Sequence, residues 1–274
     1  MTIAINNASA FLKMYSDVYA GRLITPRGER TREAEDYDLT LTMTESPLTS
    51  FEDRNLSLDY AKAEAKWYLR GDRYDRSIET HASMWPKLRQ PDNSYYSNYG
   101  HYMFREGQVQ WVIDELCRDK DSRRATIVLL KRDHLFRENR DVVCTYGVGF
   151  RVRNDRLNMT VHMRSNDVVF GTTNDVFCFS VVYRMVYAAL KFTNYPDVAP
   201  GTYKHRVDSL HVYERHWEAV KKIISKGLDG YMKVDVPFCS NVHDLGFLLN
   251  VHVLGWRKPP EEYALASWLY GESA

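Results

Sequence analysis

The sequence predicts an α+β fold, because segments with helical periodicity are mixed with segments that alternate like β-strands. Residues 7–20 carry apolar side chains at the three- and four-residue spacing of an amphipathic helix. Residues 142–152 and 157–163 place them at every second position, which is typical of half-buried strands. The Asn154-Asp155 pair between these two segments predicts a two-residue hairpin turn. Helices and a hairpin in one chain indicate the α+β class.

The other elements follow from the same two periodicities. The predicted helices, several of which stop at a glycine, cover residues 7–20, 58–69, 109–116, 175–191 and 217–226. The further predicted strands cover residues 38–43, 125–131 and 210–213. Residues 86–100 are rich in Pro, Asn, Ser and Tyr and predict a loop.

Length and charge limit what the chain can be. We find no repeat, low-complexity tract or Gly/Ser linker in the 274 residues, so we expect one domain over residues 1–274. The 37 basic and 36 acidic side chains give a net charge of +1. No overall field attracts a polyanion, so no nucleic-acid partner is expected. A local arginine pocket for a single phosphate remains compatible with this charge.

The cysteines and the apolar runs predict a cytoplasmic protein of a bacterium or phage-infected host. The four cysteines show no disulfide framework and no CxxC pair, and the N-terminus shows no secretory leader. The longest apolar run, residues 176–190, contains Arg184 and is too short to span a bilayer, so no membrane partner is expected. A metal is not expected, because no ligand spacing is recognisable among His211, His216, Cys239 and His243.

Two features carry chemistry. The segment Arg164-Ser-Asn-Asp-Val-Val-Phe-Gly-Thr-Thr-Asn-Asp175 concentrates polar hydrogen-bonding groups between a strand and a buried helix. Its residues alone fit a ligand site or an ordinary polar connection equally well. Glu64 lies on the mostly apolar stripe of its helix, together with Ala61, Ala65 and Tyr68. A carboxylate on such a stripe is unusual.

The polar segment resembles the nucleotide-binding motif of the thymidylate synthase superfamily, and specifically of its pyrimidine-nucleotide hydroxymethylase branch. Further stretches resemble family motifs in the same order, namely Glu64-Ala-Lys-Trp-Tyr-Leu, Trp85, Ser97-Asn-Tyr-Gly100, Asp121-Ser-Arg-Arg124, Cys144-Thr and Ser209-Leu-His-Val-Tyr-Glu-Arg-His216. The offsets of 20 residues from Cys144 to Arg164 and 11 from Arg164 to Asp175 also match. Residues before about 25 and after about 225 carry little resemblance.

The resemblance implies a fold, a reaction and roles for single residues. It implies a mixed β-sheet flanked by helices, and 5,10-methylenetetrahydrofolate as the one-carbon donor to a pyrimidine nucleoside monophosphate. Cys144 is the expected nucleophile, Glu64 the residue that organises water and relays protons, and Tyr99 an aid to proton movement. The expected nucleotide contacts are Arg123, Arg124, Arg164, Ser165, Asn166, His211 and Tyr213. The expected folate contacts are Trp85, Asp167 and Gly171.

The expected chemistry explains the nucleophile. C5 of a pyrimidine is a poor nucleophile, but a thiolate added at C6 turns the ring into an enamine with reactive density at C5. Cys144 should therefore be thiolate-prone, since arginines gathered for the phosphate lower the pKa of a nearby thiol. Without this context a single strand cysteine is a small core side chain, and the other three cysteines keep that interpretation.

The resemblance also implies a homodimer. In the family the arginine pair corresponding to Arg123 and Arg124 comes from the neighbouring subunit, and one sheet face forms the dimer contact. One more phosphate-binding arginine is expected from the N-terminal loop. Arg30 fits the local motif and Arg27 fits the spacing to Glu64, so both remain open.

Asp175 favours cytosine as the base. Thymidylate synthases carry an asparagine there, whose amide donates to uracil O4 and accepts from N3–H. Cytosine reverses both edges, and a carboxyl group can accept from N4 and donate to N3.

The product and the sugar depend on resemblance. The chain has Val142-Val-Cys-Thr145 where thymidylate synthases usually have Pro-Pro-Cys-His, which favours hydroxymethyl over methyl as the product. We therefore expect a deoxycytidylate 5-hydroxymethyltransferase. The open alternatives are ribocytidylate hydroxymethylation, deoxyuridylate hydroxymethylation, methylation, and a non-catalytic nucleotide- or RNA-binding protein. The aromatic tail over residues 256–270 has no assigned role.

Overall fold

The computed structural model describes residues 6–136, 138–255 and 257–271 and centres on a six-stranded mixed sheet. The strands are β1 (Arg22–Ile24), β2 (Thr31–Thr42), β3 (Thr49–Phe51), β4 (Thr126–Val128), β5 (Thr145–Arg153), β6 (Arg156–Asp167), β7 (Ala199–Tyr213) and β8 (Tyr231–Lys233). The large sheet has the order β1-β2-β7-β6-β5-β4, and β3 pairs with β8 in a small second sheet. Only β6 and β7 pair in parallel among the described strands.

Helices pack against the large sheet, either directly or through other elements. They are α1 (Asn7–Tyr19), α2 (Leu58–Arg70), α3 (Trp85–Leu88), α4 (Gln108–Arg118), α5 (Thr172–Phe192), α6 (Trp217–Lys226), α7 (Val242–Leu254) and α8 (Ala264–Tyr270). Helix α5 lies on β6 and β7, while α2, α4 and α7 pack on its other side. It is therefore buried on nearly all sides, which explains its continuous apolar sequence. Within the described ranges, no helix is long and apolar enough to cross a membrane.

The predicted α+β class, with a mixed sheet flanked by helices, is confirmed. The predicted hairpin is also present, because Asn154 and Asp155 have φ angles of 51° and 52°. Two consecutive residues with positive φ are the signature of a type I′ turn. The returning strand buries Leu157, Met159, Val161 and Met163 as its alternation predicts.

The prediction that a strand begins at residue 142 with Cys144 and Tyr146 on its apolar face was wrong. Strand β5 begins at Thr145, and a β-bulge lies between Thr145 and Gly147. The carbonyl of Tyr146 accepts from the backbone N–H groups of both Leu129 and Leu130. The extra residue reverses the alternation, so the Tyr146 side chain is 40% exposed.

Further boundaries differ from the predictions, and β2 begins at Thr31 where a strand over 38–43 was predicted. Strand β7 spans fifteen residues rather than only 210–213, because buried Tyr203 and His205 occupy its inward positions. Strand β4 is limited to three residues of the predicted segment 125–131. One turn of helix, α3, opens the segment predicted as a loop. In the tail, residues 264–270 form α8, and Trp256 lies outside the described residues.

The parallel register of β6 and β7 brings two polar stretches together. Ser165 is paired with Ser209, and Asp167 is paired with His211. Parallel strands end at the same edge of a sheet, so the side chains that follow both strands meet there.

A glycine in the chain segment before the π-helical turn (His101–Arg105) is required by close backbone contact. A Cβ at Gly100 would lie 1.7 Å from the carbonyl oxygen of Tyr68 on α2. Gly100→Ala is expected to lower the free energy of unfolding by about 3 kcal/mol or more, since a backbone atom cannot move away cheaply. Denaturant unfolding measures this change.

Gly246→Ala is the matched control. Gly246 lies inside α7 with open space around its missing Cβ. Alanine there should stabilise by up to about 1 kcal/mol through helix propensity. Equal destabilisation by both variants would contradict the contact assigned to Gly100.

Candidate active site

The predicted catalytic residues meet at the edge of the sheet where β6 and β7 end. Cys144 immediately precedes β5, and its carbonyl accepts from the backbone N–H of Arg164 in β6 at 2.8 Å. A connection of four residues joins β6 to helix α5, which carries Asp175 in its first turn. The hairpin and the crossover helix thus place these three residues together, although 31 positions separate the first from the last.

Arg164 shapes the segment that holds the cysteine. Its guanidinium donates to the carbonyl of Val142 at 2.6 Å and to that of Val143 at 3.0 Å. The same Nη2 lies 3.4 Å from the Sγ of Cys144. One side chain therefore fixes the backbone before the cysteine and places a positive charge against its sulfur.

The expected thiolate-prone state of Cys144 is not what the structure shows. Burial raises the pKa of the thiol, and the neighbouring charge of Arg164 only partly opposes this. Negative charge on Asp175 and Asp141 raises the pKa further, while Arg27 lowers it. Burial has the larger effect because the thiolate loses more hydration energy than it gains from the attraction of the Arg164 cation at 3.4 Å.

Asp175 is held by a hydrogen-bond chain that starts on α5 itself. Asn166 Nδ2 donates to Asp175 Oδ2 at 2.6 Å, and Asn166 Oδ1 accepts from the hydroxyl of Thr172. Burial raises the pKa of Asp175 to about 7, although the Asn166 bond lowers it. The carboxyl group can therefore hold or release a proton near neutral pH.

Glu64 faces α5 from α2 and is 6% exposed. Tyr60 donates to Glu64 Oε1 at 3.1 Å, and the Sγ of Cys178 lies 3.9 Å from Oε2. Burial and then the charge of Asp175 raise the pKa of Glu64 to about 8. Tyr60 was not among the site residues predicted from the sequence. Its position one helical turn before Glu64 could have indicated the contact.

Trp85 is 4% exposed, and its indole N–H donates to the hydroxyl of Tyr60 at 3.3 Å. Tyr99 is buried between the rings of Tyr68 and Phe179, with centroids 5.3 and 5.9 Å away. Phe179 lies one helical turn after Asp175, so this stacking places Tyr99 beside the carboxyl group.

Asp141 is a further buried residue that sequence reasoning missed. Its carboxylate accepts from the backbone N–H of Ser97 at 2.6 Å and from the Ser97 hydroxyl at 2.5 Å. These bonds tie the segment that contains Tyr99 to the segment that precedes Cys144. No local sequence pattern indicates this contact, because the pairing joins positions 44 residues apart.

Asp167 and Gly171 form the turn between β6 and α5. Asp167 Oδ1 accepts from the backbone N–H groups of Val169 and Phe170 at 2.6 and 2.8 Å. Asp167 Oδ2 is buried and has no hydrogen-bond partner among the described residues. A Cβ at Gly171 would lie 2.9 Å from the Asp167 carbonyl oxygen, so glycine is required here. An orphaned carboxylate oxygen suits a ligand that brings N–H donors, as the pterin ring of folate does.

The residues expected to bind the sugar lie beside the N-terminal loop. His211 is 9% exposed, and its ring meets that of Tyr213 edge-on with centroids 5.0 Å apart. Pro26, Arg27, Glu29, Tyr213 and Arg215 line a cavity of about 200 Å³. Half-buried Ser165 lies on β6, directly before Asn166.

The two N-terminal arginines have different surroundings. Arg30 forms an ion pair with Glu214 and lies over the ring of Trp217 at 5.3 Å. Arg27 is exposed, has a φ of 52° and is one of the charges that act on Cys144. Arg27 is therefore the arginine better placed to reach a phosphate near Cys144.

Arg123 and Arg124 lie far from Cys144 in their own chain. Ala125, which follows them, bonds through its carbonyl to the backbone N–H of Phe150, six residues along β5 from Cys144. Six strand residues span about 20 Å, which is beyond the reach of an arginine side chain. Both arginines are exposed. In the described part of the chain, no group of three or more His, Cys, Asp or Glu side chains is arranged to hold a metal.

The raised pKa of Glu64 predicts a pH-dependent cost to stability. Between about pH 4.5 and 8 the unfolded chain ionises Glu64 while the folded protein keeps it protonated, so stability falls as pH rises. Glu64→Gln removes this titration. Between about pH 5 and pH 8, the free energy of unfolding of the variant should rise by about 2–4 kcal/mol relative to that of the wild type, as measured by denaturant unfolding.

Glu79→Gln is the control for this experiment. Hydrogen bonds from Arg76 and Tyr95 lower the pKa of Glu79 to about 2, well below the measured window. Its difference from the wild type should therefore stay constant over that window. A constant difference for Glu64→Gln as well would show that Glu64 titrates normally.

Comparison with known proteins identifies the family. The thymidylate synthase family model matches residues 10–248. The deoxycytidylate 5-hydroxymethyltransferase of Enterobacteria phage T2 is 29% identical over 189 residues, covering 66% of this chain and 77% of that protein. The deoxyuridylate hydroxymethyltransferase of Bacillus phage SP01 is 25% identical over 224 residues, covering 73% of this chain and 56% of that protein.

A solved structure agrees at the level of the fold. Thermostable thymidylate synthase A from Bacillus subtilis superposes with a TM-score of 0.64 at 20% identity, over 80% of this chain and 84% of that one. The resemblance inferred from the motifs is thus confirmed over most of the chain. The chain belongs to the thymidylate synthase family, whose enzymes transfer a one-carbon unit from methylenetetrahydrofolate to a pyrimidine nucleotide.

Proposed function

We propose that the protein is a deoxycytidylate 5-hydroxymethyltransferase, which converts dCMP to 5-hydroxymethyl-dCMP. The observation that carries this proposal is Asp175, a carboxyl group with a pKa of about 7 that Asn166 holds beside Cys144 and Arg164. Similarity to the phage T2 deoxycytidylate enzyme supports the same choice.

Cys144 is the proposed nucleophile. Its thiolate adds to C6 of the cytosine, and the electron pair moves to C5, which forms a bond to the one-carbon unit. Methylenetetrahydrofolate supplies that unit when bound and departs as tetrahydrofolate. Arg164, at 3.4 Å from the sulfur, stabilises the thiolate before it attacks and when it is released.

The remaining steps move protons and water. A base removes the C5 proton, which leaves an exocyclic methylene on C5. Water then adds to this methylene, the electron pair restores the C5–C6 double bond, and the bond from C6 to sulfur breaks. Glu64 is the proposed organiser of this water, because a carboxyl group with a pKa of about 8 can both give and take a proton near neutral pH. Tyr99 lies beside Asp175 and Cys144 to assist the proton movement.

Recognition of the base is assigned to Asp175. In its ionised form it accepts from the cytosine N4 amino group, and in its neutral form it also donates to N3. Proton sharing at N3 draws electron density from the ring and so helps C6 accept the thiolate. Asn166 holds the carboxyl group in one orientation and has its own oxygen occupied by Thr172.

The proposed contacts to the phosphate, the sugar and the folate lie near the same edge of the sheet. Arg164, Ser165 and Arg27 are assigned to the 5′-phosphate, and His211 and Tyr213 to the sugar. The folate is assigned to Trp85, Asp167 and Gly171, where the orphaned oxygen of Asp167 offers an acceptor. CMP is the nearest alternative substrate, since none of these contacts distinguishes ribose from deoxyribose by its chemistry.

A homodimer completes this proposal. Arg123 and Arg124 cannot reach Cys144 of their own chain, so a second subunit would have to bring them to the phosphate. The sheet face opposite α5 is available for that contact, because exposed His162, Lys204 and Arg206 alternate with buried neighbours along β6 and β7. Such a face would place each arginine pair near the partner's site.

Loss of the thiol tests the mechanism. Cys144→Ser should abolish tritium release from 5-tritiated dCMP in the presence of methylenetetrahydrofolate, because serine is not acidic enough to add at C6. Cys117→Ser is the matched control, since Cys117 is a partly exposed cysteine near Thr193, away from the site. An undiminished rate in Cys144→Ser would refute the mechanism.

Replacement of the base-reading carboxyl group tests the substrate. Asp175→Asn should shift relative kcat/KM toward uracil nucleotides by about tenfold or more, because the amide matches the uracil edge. Mass spectrometry of the products, with dCMP, CMP, dUMP and UMP as competing substrates, measures the preference for base and sugar and identifies the transferred group as methyl or hydroxymethyl. An unchanged preference in the variant would remove the basis for assigning cytosine.

A further inference from the structure

We infer that Tyr60 is a positioning residue that keeps the mobile proton of Glu64 on Oε2, the carboxyl oxygen that faces α5. The inference rests on the proposed function, in which Glu64 organises water and relays protons. It adds a residue whose hydroxyl acts through Glu64.

The direction of the hydrogen-bond chain is set by its first member. An indole N–H can only donate, so the bond of 3.3 Å from Trp85 makes the Tyr60 hydroxyl oxygen an acceptor. The single proton of that hydroxyl is then free to point at Glu64 Oε1, 3.1 Å away. Glu64 Oε1 therefore accepts a bond from a hydroxyl at 3.1 Å, whereas Oε2 meets the weak thiol donor of Cys178 at 3.9 Å. A proton on Glu64 consequently resides on Oε2, where the Cys178 sulfur can act as its weak acceptor.

The surroundings hold this chain in place. Tyr60 and Glu64 are four residues apart on α2, so both project from the same side of the helix. The Trp85 ring packs edge-on against Trp67 at 4.9 Å and against Tyr95 at 5.9 Å. Burial, with the charge of Glu64, raises the pKa of Tyr60, so its hydroxyl stays protonated and remains a donor.

The second oxygen faces the reacting centre. Oε2 lies 3.9 Å from the Sγ of Cys178, which is on α5 one turn after Asp175. The ionisable groups that face Glu64 are Asp175 and Cys178 on α5, and Tyr60 and Tyr68 on α2. No described ionisable group of α7 or α8, which also pack against α2, acts on it. A proton confined to Oε2 is thus delivered on the side of Asp175.

Tyr60→Phe removes the hydroxyl and keeps the ring. The kcat for tritium release from 5-tritiated dCMP should fall about tenfold, with KM for dCMP changed less than about twofold, because a hydrogen bond to a charged group is lost away from the nucleotide. The inflection near pH 8 in the kcat profile should move to higher pH by about one unit, because Tyr60 stabilises the carboxylate of Glu64.

Tyr95→Phe is the matched control. Tyr95 is also buried, also packs against Trp85 and also donates to a carboxylate, that of Glu79 at 2.6 Å. It does not touch Glu64, so its kcat and its pH profile should stay within about twofold of the wild type. Trp85→Phe is a second probe, measured at saturating methylenetetrahydrofolate because Trp85 is also an assigned folate contact. It frees the Tyr60 hydroxyl to rotate and should move the same inflection upward by a smaller amount.

The outcomes separate the inference from the proposed function. A wild type that releases tritium, with Tyr60→Phe and Trp85→Phe leaving the inflection unmoved, would overturn the role of Tyr60 alone. Equal loss of kcat in Tyr60→Phe and Tyr95→Phe would also overturn it, because it would indicate a packing effect. Should Tyr60→Phe fail to fold, the inflection in Trp85→Phe decides. A wild type that releases no tritium would overturn the proposed function and the inference with it.

Discussion

The parallel pairing of β6 with β7 is the constraint on which the rest of the molecule depends. Two parallel neighbours require a long crossover, and here it is the buried helix α5. The crossover brings the ends of both strands and the start of α5 to one edge of the sheet. Hairpin β5–β6 then returns Cys144 to the same edge, opposite Arg164. Residues that are remote in sequence thus become neighbours through backbone pairing, and flexible loops are not needed.

Removal of water from this edge determines the chemistry of the groups that meet there. Each buried carboxyl group has its own donor, which is Asn166 for Asp175, Tyr60 for Glu64 and Ser97 for Asp141. The donors lower the pKa of each group, but burial raises it by more. The pKa values of Glu64 and Asp175 are therefore close to neutral pH. The same burial raises the pKa of Cys144, so Arg164 must offset a cost that the fold itself imposes.

Sequence patterns predicted the parts of the fold where side chains follow a simple period. The β5–β6 hairpin and α5 were recognisable because their buried positions are apolar. Most of β7 was not recognisable, since its inward positions include Tyr203 and His205, which bond to each other at 2.8 Å in the core. The start of β5 was misplaced because a bulge depends on the pairing with the partner strand β6. Propensity within one segment carries no information about such pairing.

Some residues of the candidate site were likewise predictable from the sequence, and others were not. The resemblance to the family motifs grouped Cys144, Arg164 and Asp175 from the sequence alone, because their offsets of 20 and 11 residues match the family pattern. The choice between Arg27 and Arg30 needed the position of Glu214, which is 184 residues from Arg30. The pairing of Asp141 with Ser97 likewise depends on which segments pack together.

The two carboxyl groups near neutrality explain why the site is costly to fold. Each stays protonated in the folded protein over a pH range in which the unfolded chain ionises it. The free energy of unfolding therefore falls as the pH rises through that range. A site made only for binding would have no reason to keep them protonated, since ionised carboxylates bond to amino groups more strongly. Different elements supply the donors, Asn166 on β6 and Tyr60 on α2, but the two pKa values are coupled, because negative charge on Asp175 raises the pKa of Glu64. A reaction with distinct proton transfers to the ring and to the exocyclic carbon needs two such groups, each able to hold or release a proton near neutral pH.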